Sequence, residues 1–272
     1  MSGGLKTFFL MTLLTLILVW VGGILGGKTG TIIALLFAAG INFYSYWFSD
    51  KMVLKRYAAG EITAGHPSGL YELVQNLARK AELPTPKVFI IPEATPNAFA
   101  TGRNPQHAAV AASEGILRLL TKQELAGVMA HELAHIKNRD ILTSSIAATF
   151  AGAISALGQF AYLGNNRREN PILGIVMMIL APIGAMIVKM AISRVREYAA
   201  DKGGAEISGK PLALASALNK IQNGVKQVPI RSGRASDSHM FIVNPFFGGM
   251  QKLFSTHPPT EERIRRLKEL AK

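Results

Sequence analysis

The sequence contains no cysteine. That absence excludes disulfides, thioether haem attachment and thiolate metal sites together. Any transition-metal site must then be built from histidine and carboxylate. Acidic residues are scarce as well: 17 Asp and Glu stand against 30 Lys and Arg, for a formal net charge of +13. Charge of either sign is missing from long stretches. Hydrophobic residues make up 49% of the 272 and are gathered into uncharged runs, the distribution a bilayer demands. Beside such runs, a basic excess points to an anionic lipid surface and not to nucleic acid. The length allows one large domain, or one domain plus a membrane part.

The first apolar run covers residues 8–25, with Lys6 ahead of it, and the second covers residues 31–48. No small-residue cleavage motif closes the first run, so an uncleaved pair of membrane helices is expected over residues 1–49. Gly26-Gly27-Lys28-Thr29-Gly30 reads as the turn between them. Asp50, Lys51, Lys55 and Arg56 follow the second run, whereas the turn carries only Lys28. The positive-inside rule then places Lys6 and the chain after Phe48 on the cytoplasmic side.

Residues 50–140 read as the first part of a soluble domain. Leu70, Leu73, Val74 and Leu77 form one helical face over residues 68–81, which Pro84 and Pro86 end. Residues 87–91 read as a strand, and residues 97–102 and 107–112 as two strands joined by a turn. A short helix follows over residues 114–120. Thr121 to Glu124 fits a capping box that opens a helix running through His135. Residues 141–192 hold two more apolar stretches around a polar turn, a hydrophobic hairpin expected to supply two further membrane helices. Residues 193–272 form the second soluble part. It holds helices over 211–224 and 259–272, and between them a loop with a strand at residues 240–243.

His131 and His135 are four residues apart on the capped helix, so their side chains share a face. Two imidazole nitrogens at that spacing can meet one Zn²⁺. Glu132 follows the first of them and is placed to take a proton from water beside the metal, as metal-assisted hydrolysis requires. Ala130 and Ala134 leave room for a second element to pack closely. The five-residue pattern arises by chance in roughly one chain in a hundred of this length, so a third ligand has to be found. A metzincin would place a histidine where this chain has Ile141 and a glycine where it has Asn138, which excludes that class. The best candidate is Glu197, with Asp201 one turn later on the same face. Asp201 can then accept a hydrogen bond from the outer nitrogen of a ligand histidine, His131 being favoured. His135 lies just before the apolar hairpin and Glu197 just after it, so an antiparallel hairpin returns both to one membrane face.

His131 to His135, Arg196-Glu197-Tyr198-Ala199-Ala200-Asp201, Asn97 to Gly102 and Ser255-Thr256-His257-Pro258-Pro259 together resemble the HtpX family of membrane zinc endopeptidases, related to the CAAX prenyl proteases. The resemblance covers nearly the whole chain. It implies a gluzincin-like catalytic domain with one Zn²⁺, facing the cytoplasm from a bacterial inner membrane. It implies a role in quality control, with misfolded membrane proteins as substrates. It also implies that the strand at Asn97 and Ala98 binds extended substrate along its edge, and that His257 stabilises the tetrahedral oxyanion. The expected fold is mainly α with a small antiparallel β-sheet, in a multi-span membrane protein. Two rivals remain. An intramembrane metalloprotease would need an Asp after Asn244-Pro245, and none follows. The other is a non-catalytic membrane scaffold or transporter-like protein with an accidental or decayed motif.

Overall fold

A computed structural model describes residues 3–142, 194–228, 241–243 and 258–271. The apolar segment expected over residues 141–192 therefore lies outside the described residues, apart from its first two, and so does His257.

The chain opens with α1 (Gly3–Arg56), which folds back on itself where Gly26 and Gly27 leave helical geometry. Gly27 takes φ 55°, which glycine adopts without a steric penalty. The two arms then run side by side. Asn42 Nδ2 donates to Thr15 Oγ1 at 2.8 Å between them. Gly26–Phe48 is long and apolar enough to cross a bilayer, and Met11–Trp20 is a shorter apolar helix. Ile33, Leu36 and Phe37 are each more than half exposed, an arrangement that water penalises and lipid does not.

The sheet holds β1 (Gly60–Ile62), β2 (Lys87–Ile91), β3 (Ala98–Gly102) and β4 (Ala108–Ser113) in the order β1-β2-β4-β3. β3 and β4 pair antiparallel, as a short connection dictates, and β1 pairs antiparallel with β2. β2 and β4, however, run parallel. The sheet is mixed, which corrects the antiparallel expectation. The cause is that β4 inserts between β2 and β3. It is buried along its whole length and reads as an unbroken small apolar run, the pattern of a central strand covered on both faces. β3 is left at the sheet's edge.

Six helices complete the described chain: α2 (Leu70–Lys80), α3 (Glu114–Leu119), α4 (Lys122–Lys137), α5 (Arg194–Ser208), α6 (Pro211–Gln227) and α7 (Thr260–Glu269). α4 begins with the capping box: Thr121 Oγ1 accepts from Glu124 N–H, and the Glu124 carboxylate accepts from Thr121 N–H at 2.8 Å. Glu124 also accepts from Ser216 and Lys220 on α6, so one carboxylate both starts α4 and ties it to its neighbour. α4 is the centre of the fold, with Val128, Met129, Ala130 and Leu133 all fully buried.

α5 packs most intimately against it. A Cβ on Gly204 would stand 2.8 Å from His131 Cα, and one on Gly203 would stand 2.9 Å from Ala134 Cβ. Glycine is thus what lets α5 lie against the face that carries the two histidines. Residues 241–243, expected within a strand, form bends instead. Their backbone is satisfied by side chains: Ile242 N–H donates to Asn97 Oδ1, and Ile242 C=O accepts from Arg263 Nη1.

Candidate metal centre

His131 and His135 stand one turn apart on α4 with ring centroids 4.7 Å apart. Glu197, in the first turn of α5, reaches both. Its Oε2 lies 3.9 Å from His131 Nε2, and its Oε1 lies 3.5 Å from His135 Nε2. One ligand atom from each of the three falls within 4.8 Å of the others. Tetrahedral zinc with bonds of about 2.05 Å sets its ligand atoms about 3.3 Å apart. The donor set, two imidazoles and a carboxylate around one point, therefore fits a divalent metal.

Each histidine is backed by a carboxylate. His131 Nδ1 lies 3.0 Å from Asp201 Oδ1. His135 Nδ1 lies 3.3 Å from Asp140 Oδ2. Each carboxylate meets an arginine in turn. Arg263 grips Asp201 in bidentate fashion, through Nε at 2.8 Å and Nη2 at 2.7 Å. Its Nη1 lies 3.5 Å from Glu197 Oε2. Arg196 Nη1 stands 3.6 Å from Asp140 Oδ1.

Charge is concentrated here in a place that disfavours it. Burial opposes ionisation of Asp201, but the Arg263 guanidinium wins and holds the carboxyl down to about 2. Burial likewise opposes the charged form of His135. Its hydrogen bond to Asp140, with the charges of Glu197 and Glu132, nevertheless lifts the ring to about 9. Glu132 is buried, and desolvation pushes its carboxyl above the ordinary value, against the pull of the two histidines. The Ala100 N–H donates to it.

That donation follows from the sheet register. Ser113 N–H donates to Asn97 C=O, so Asn97 is turned inward toward β4. Alternate residues of an edge strand face alternate ways. With Ala98 opposite Ala112 and Ala100 opposite Val110, the backbone polar groups of Ala98 and Ala100 face the open edge. Asn97 lies just before the strand with its N–H held by Ser113 Oγ and its side chain committed to Ile242.

The structure thus brings together His131, Glu132, His135, Glu197 and Asp201, and sets Ala98 on the neighbouring strand. Sequence reasoning missed the site role of Arg263 and Asp140, and of the Ala100 N–H. Arg263 did leave a signal: it shares a helical face with Thr260 and Leu267, the buried side of α7.

The model of peptidase family M48 matches residues 67–271. The chain belongs to peptidase family M48. Two curated relatives agree. The "Protease HtpX homolog" of Ralstonia pickettii (strain 12J) is 54% identical over 279 residues, covering 100% of this chain and 98% of its own length. The protein of the same name from Burkholderia multivorans (strain ATCC 17616 / 249) is 54% identical over 280 residues with the same coverage. The crystal structure of S. mikatae Ste24p superposes with a TM-score of 0.55 at 16% identity, over 97% of this chain and 62% of that one, a likeness of fold. This M48 chain is a membrane metalloprotease that hydrolyses peptide bonds within proteins.

Proposed function

We propose that the metal is zinc, one per chain, held by His131, His135 and Glu197, and that the protein is a multi-span endopeptidase of a bacterial inner membrane. Its active site faces the cytoplasm and its substrates are misfolded membrane proteins. The observation that carries the reading is the convergence of three ligand atoms within 4.8 Å of one another beside a buried glutamate. The absence of cysteine suits it, since only nitrogen and oxygen donors are offered.

Bound zinc supplies a Lewis acid that acidifies water and polarises a peptide carbonyl. The protein's own groups do the rest. Asp140 is hydrogen-bonded to His135 at Nδ1 and Asp201 stands 3.0 Å from His131 Nδ1, so each carboxylate steadies an imidazole whose Nε2 is left for the metal. Arg263 keeps Asp201 ionised. Glu132 takes a proton from the attacking water and returns it to the leaving amine. Burial raises its pKa toward the range in which a carboxyl both accepts and gives up a proton. The open edge of β3 takes an extended peptide through the backbone of Ala98 and the carbonyl of Ala100, whose N–H is held by Glu132. Asn97 contributes by fixing that edge to Ile242 rather than by pairing with substrate through its main chain. His257 is the proposed donor to the tetrahedral oxyanion.

Lys51, Lys55 and Arg56, which follow the second apolar run where the turn before it carries only Lys28, support the cytoplasmic assignment, and the exposed apolar arms of α1 support the span. The test is Glu132→Gln. It removes the base and no ligand, so metal content and thermal stability should stay at the wild-type level while peptide cleavage falls by about 10²–10⁴. Wild-type cleavage in that variant would end the mechanism.

A further inference from the structure

The turn between β3 and β4 does not project freely into water. Arg103, just past the end of β3, lies over the ring of Trp47 with its guanidinium carbon 4.5 Å from the centroid. Trp47 stands one residue short of the end of the apolar segment Gly26–Phe48. Around it, Phe43, Tyr44 and Phe48 are exposed, and Lys51 lies 5.6 Å over the Phe48 ring. An exposed aromatic cluster ending an apolar helix, followed by cations, is the composition of a membrane–water boundary. The sheet is fixed to that boundary. Tyr57 meets Phe99 of β3 at 5.7 Å, and Val53, Leu54 and Tyr57 share a small core with Phe89, Phe99 and Ala111. Arg103 has no described carboxylate within ion-pair distance. A guanidinium stacked at that depth has its N–H groups available for phosphate oxygens.

We propose that the β3–β4 turn is seated in the headgroup layer of the bilayer, with Arg103 stacked on Trp47 and bonded to lipid phosphate. The open edge of β3 then begins at the membrane surface. Five residues of strand span about 17 Å, so Ala98 and Ala100 lie within that distance of the headgroups. The peptides best placed to pair there are segments that emerge from the bilayer, the juxtamembrane stretches of membrane proteins. This rests on the reading of α1 as a membrane span and names the part of the substrate that the site takes.

The chain has two tryptophans, so Trp20→Phe leaves Trp47 as the only indole emitter. In phosphatidylcholine–phosphatidylglycerol vesicles, doxyl lipids labelled near the headgroup should quench it more than lipids labelled near the chain end. Stronger quenching by the deep label would overturn the seat while leaving the span intact. Quenching by an aqueous quencher alone would overturn both. In the same vesicles, Arg103→Ala should lower kcat/KM about fivefold for a single-span substrate cut beside the bilayer, the worth of one basic residue at an anionic surface. A free peptide should be cut as before, and Arg103→Lys should restore most of the loss. Equal losses on both substrates, or no loss on either, would refute the proposal.

Discussion

The two histidines of α4 are one turn apart and each is followed outward by a carboxylate and an arginine, yet the two chains of contacts differ. Behind His131, Asp201 and Arg263 are 4% and 1% exposed, and the arginine's grip is bidentate at 2.7 and 2.8 Å. Behind His135, Asp140 and Arg196 are each 12% exposed and stand 3.6 Å apart. The first set is assembled inside the core from α4, α5 and α7. The second is assembled at the rim, from the residues that lead into and out of the segment 143–193. The fold itself therefore fixes the geometry of His131. That of His135 depends on how the chain enters and leaves its long apolar segment.

The largest effect should come from breaking the buried set. Arg263→Leu leaves the buried Asp201 without the guanidinium that grips it, and a buried pair that loses one partner costs about 3–5 kcal/mol. Arg196→Gln, at the rim, should cost about 1 kcal/mol or less. Thermal unfolding of both variants in detergent checks this, and equal shifts would erase the distinction. Next come the carboxylates. Asp201→Asn should weaken zinc binding about 100-fold and Asp140→Asn about tenfold, measured by competition with a chromophoric chelator. The reverse order would mean that the rim set is the one that holds the metal.

At a fixed pH, the smallest effect per unit change concerns protons. In the metal-free protein His135 keeps its proton up to about pH 9. Metal must displace that proton, so apparent affinity should rise with pH, by up to about tenfold per unit, and level off above about pH 9. Because Asp140 is the partner whose hydrogen bond raises the ring, Asp140→Asn should move the plateau to lower pH. A plateau that stays in place would remove Asp140 from the account.

Much of this was legible in the sequence. The capping box at Thr121 and Glu124 located the start of α4, and four-residue spacing put His131 with His135 and Glu197 with Asp201. These are local patterns, written within one or two turns of helix. The mixed sheet was not legible in the same way. Which strand lies beside β4 is decided by contacts between distant residues. Arg263 was hidden among Glu261, Glu262, Arg265, Arg266 and Lys268. Only its register with Thr260 and Leu267 distinguished a buried arginine from these five charged neighbours. Asp140 looked like an ordinary polar residue past a helix end. Its role depends on the turn after α4, which brings it back to His135 five positions earlier. The segment 241–243 was misread because its backbone partners are the side chains of Asn97 and Arg263, which no strand pattern encodes.

If Glu197 is the third ligand beside His131 and His135, the metal content of the protein should depend on it. Purified from cells without chelator, the wild-type protein should carry about one zinc per chain by mass spectrometry of the metal, and so should Glu132→Gln. Glu197→Ala should carry almost none while keeping its helical circular dichroism. Full zinc occupancy in Glu197→Ala, with the fold intact, would contradict the account.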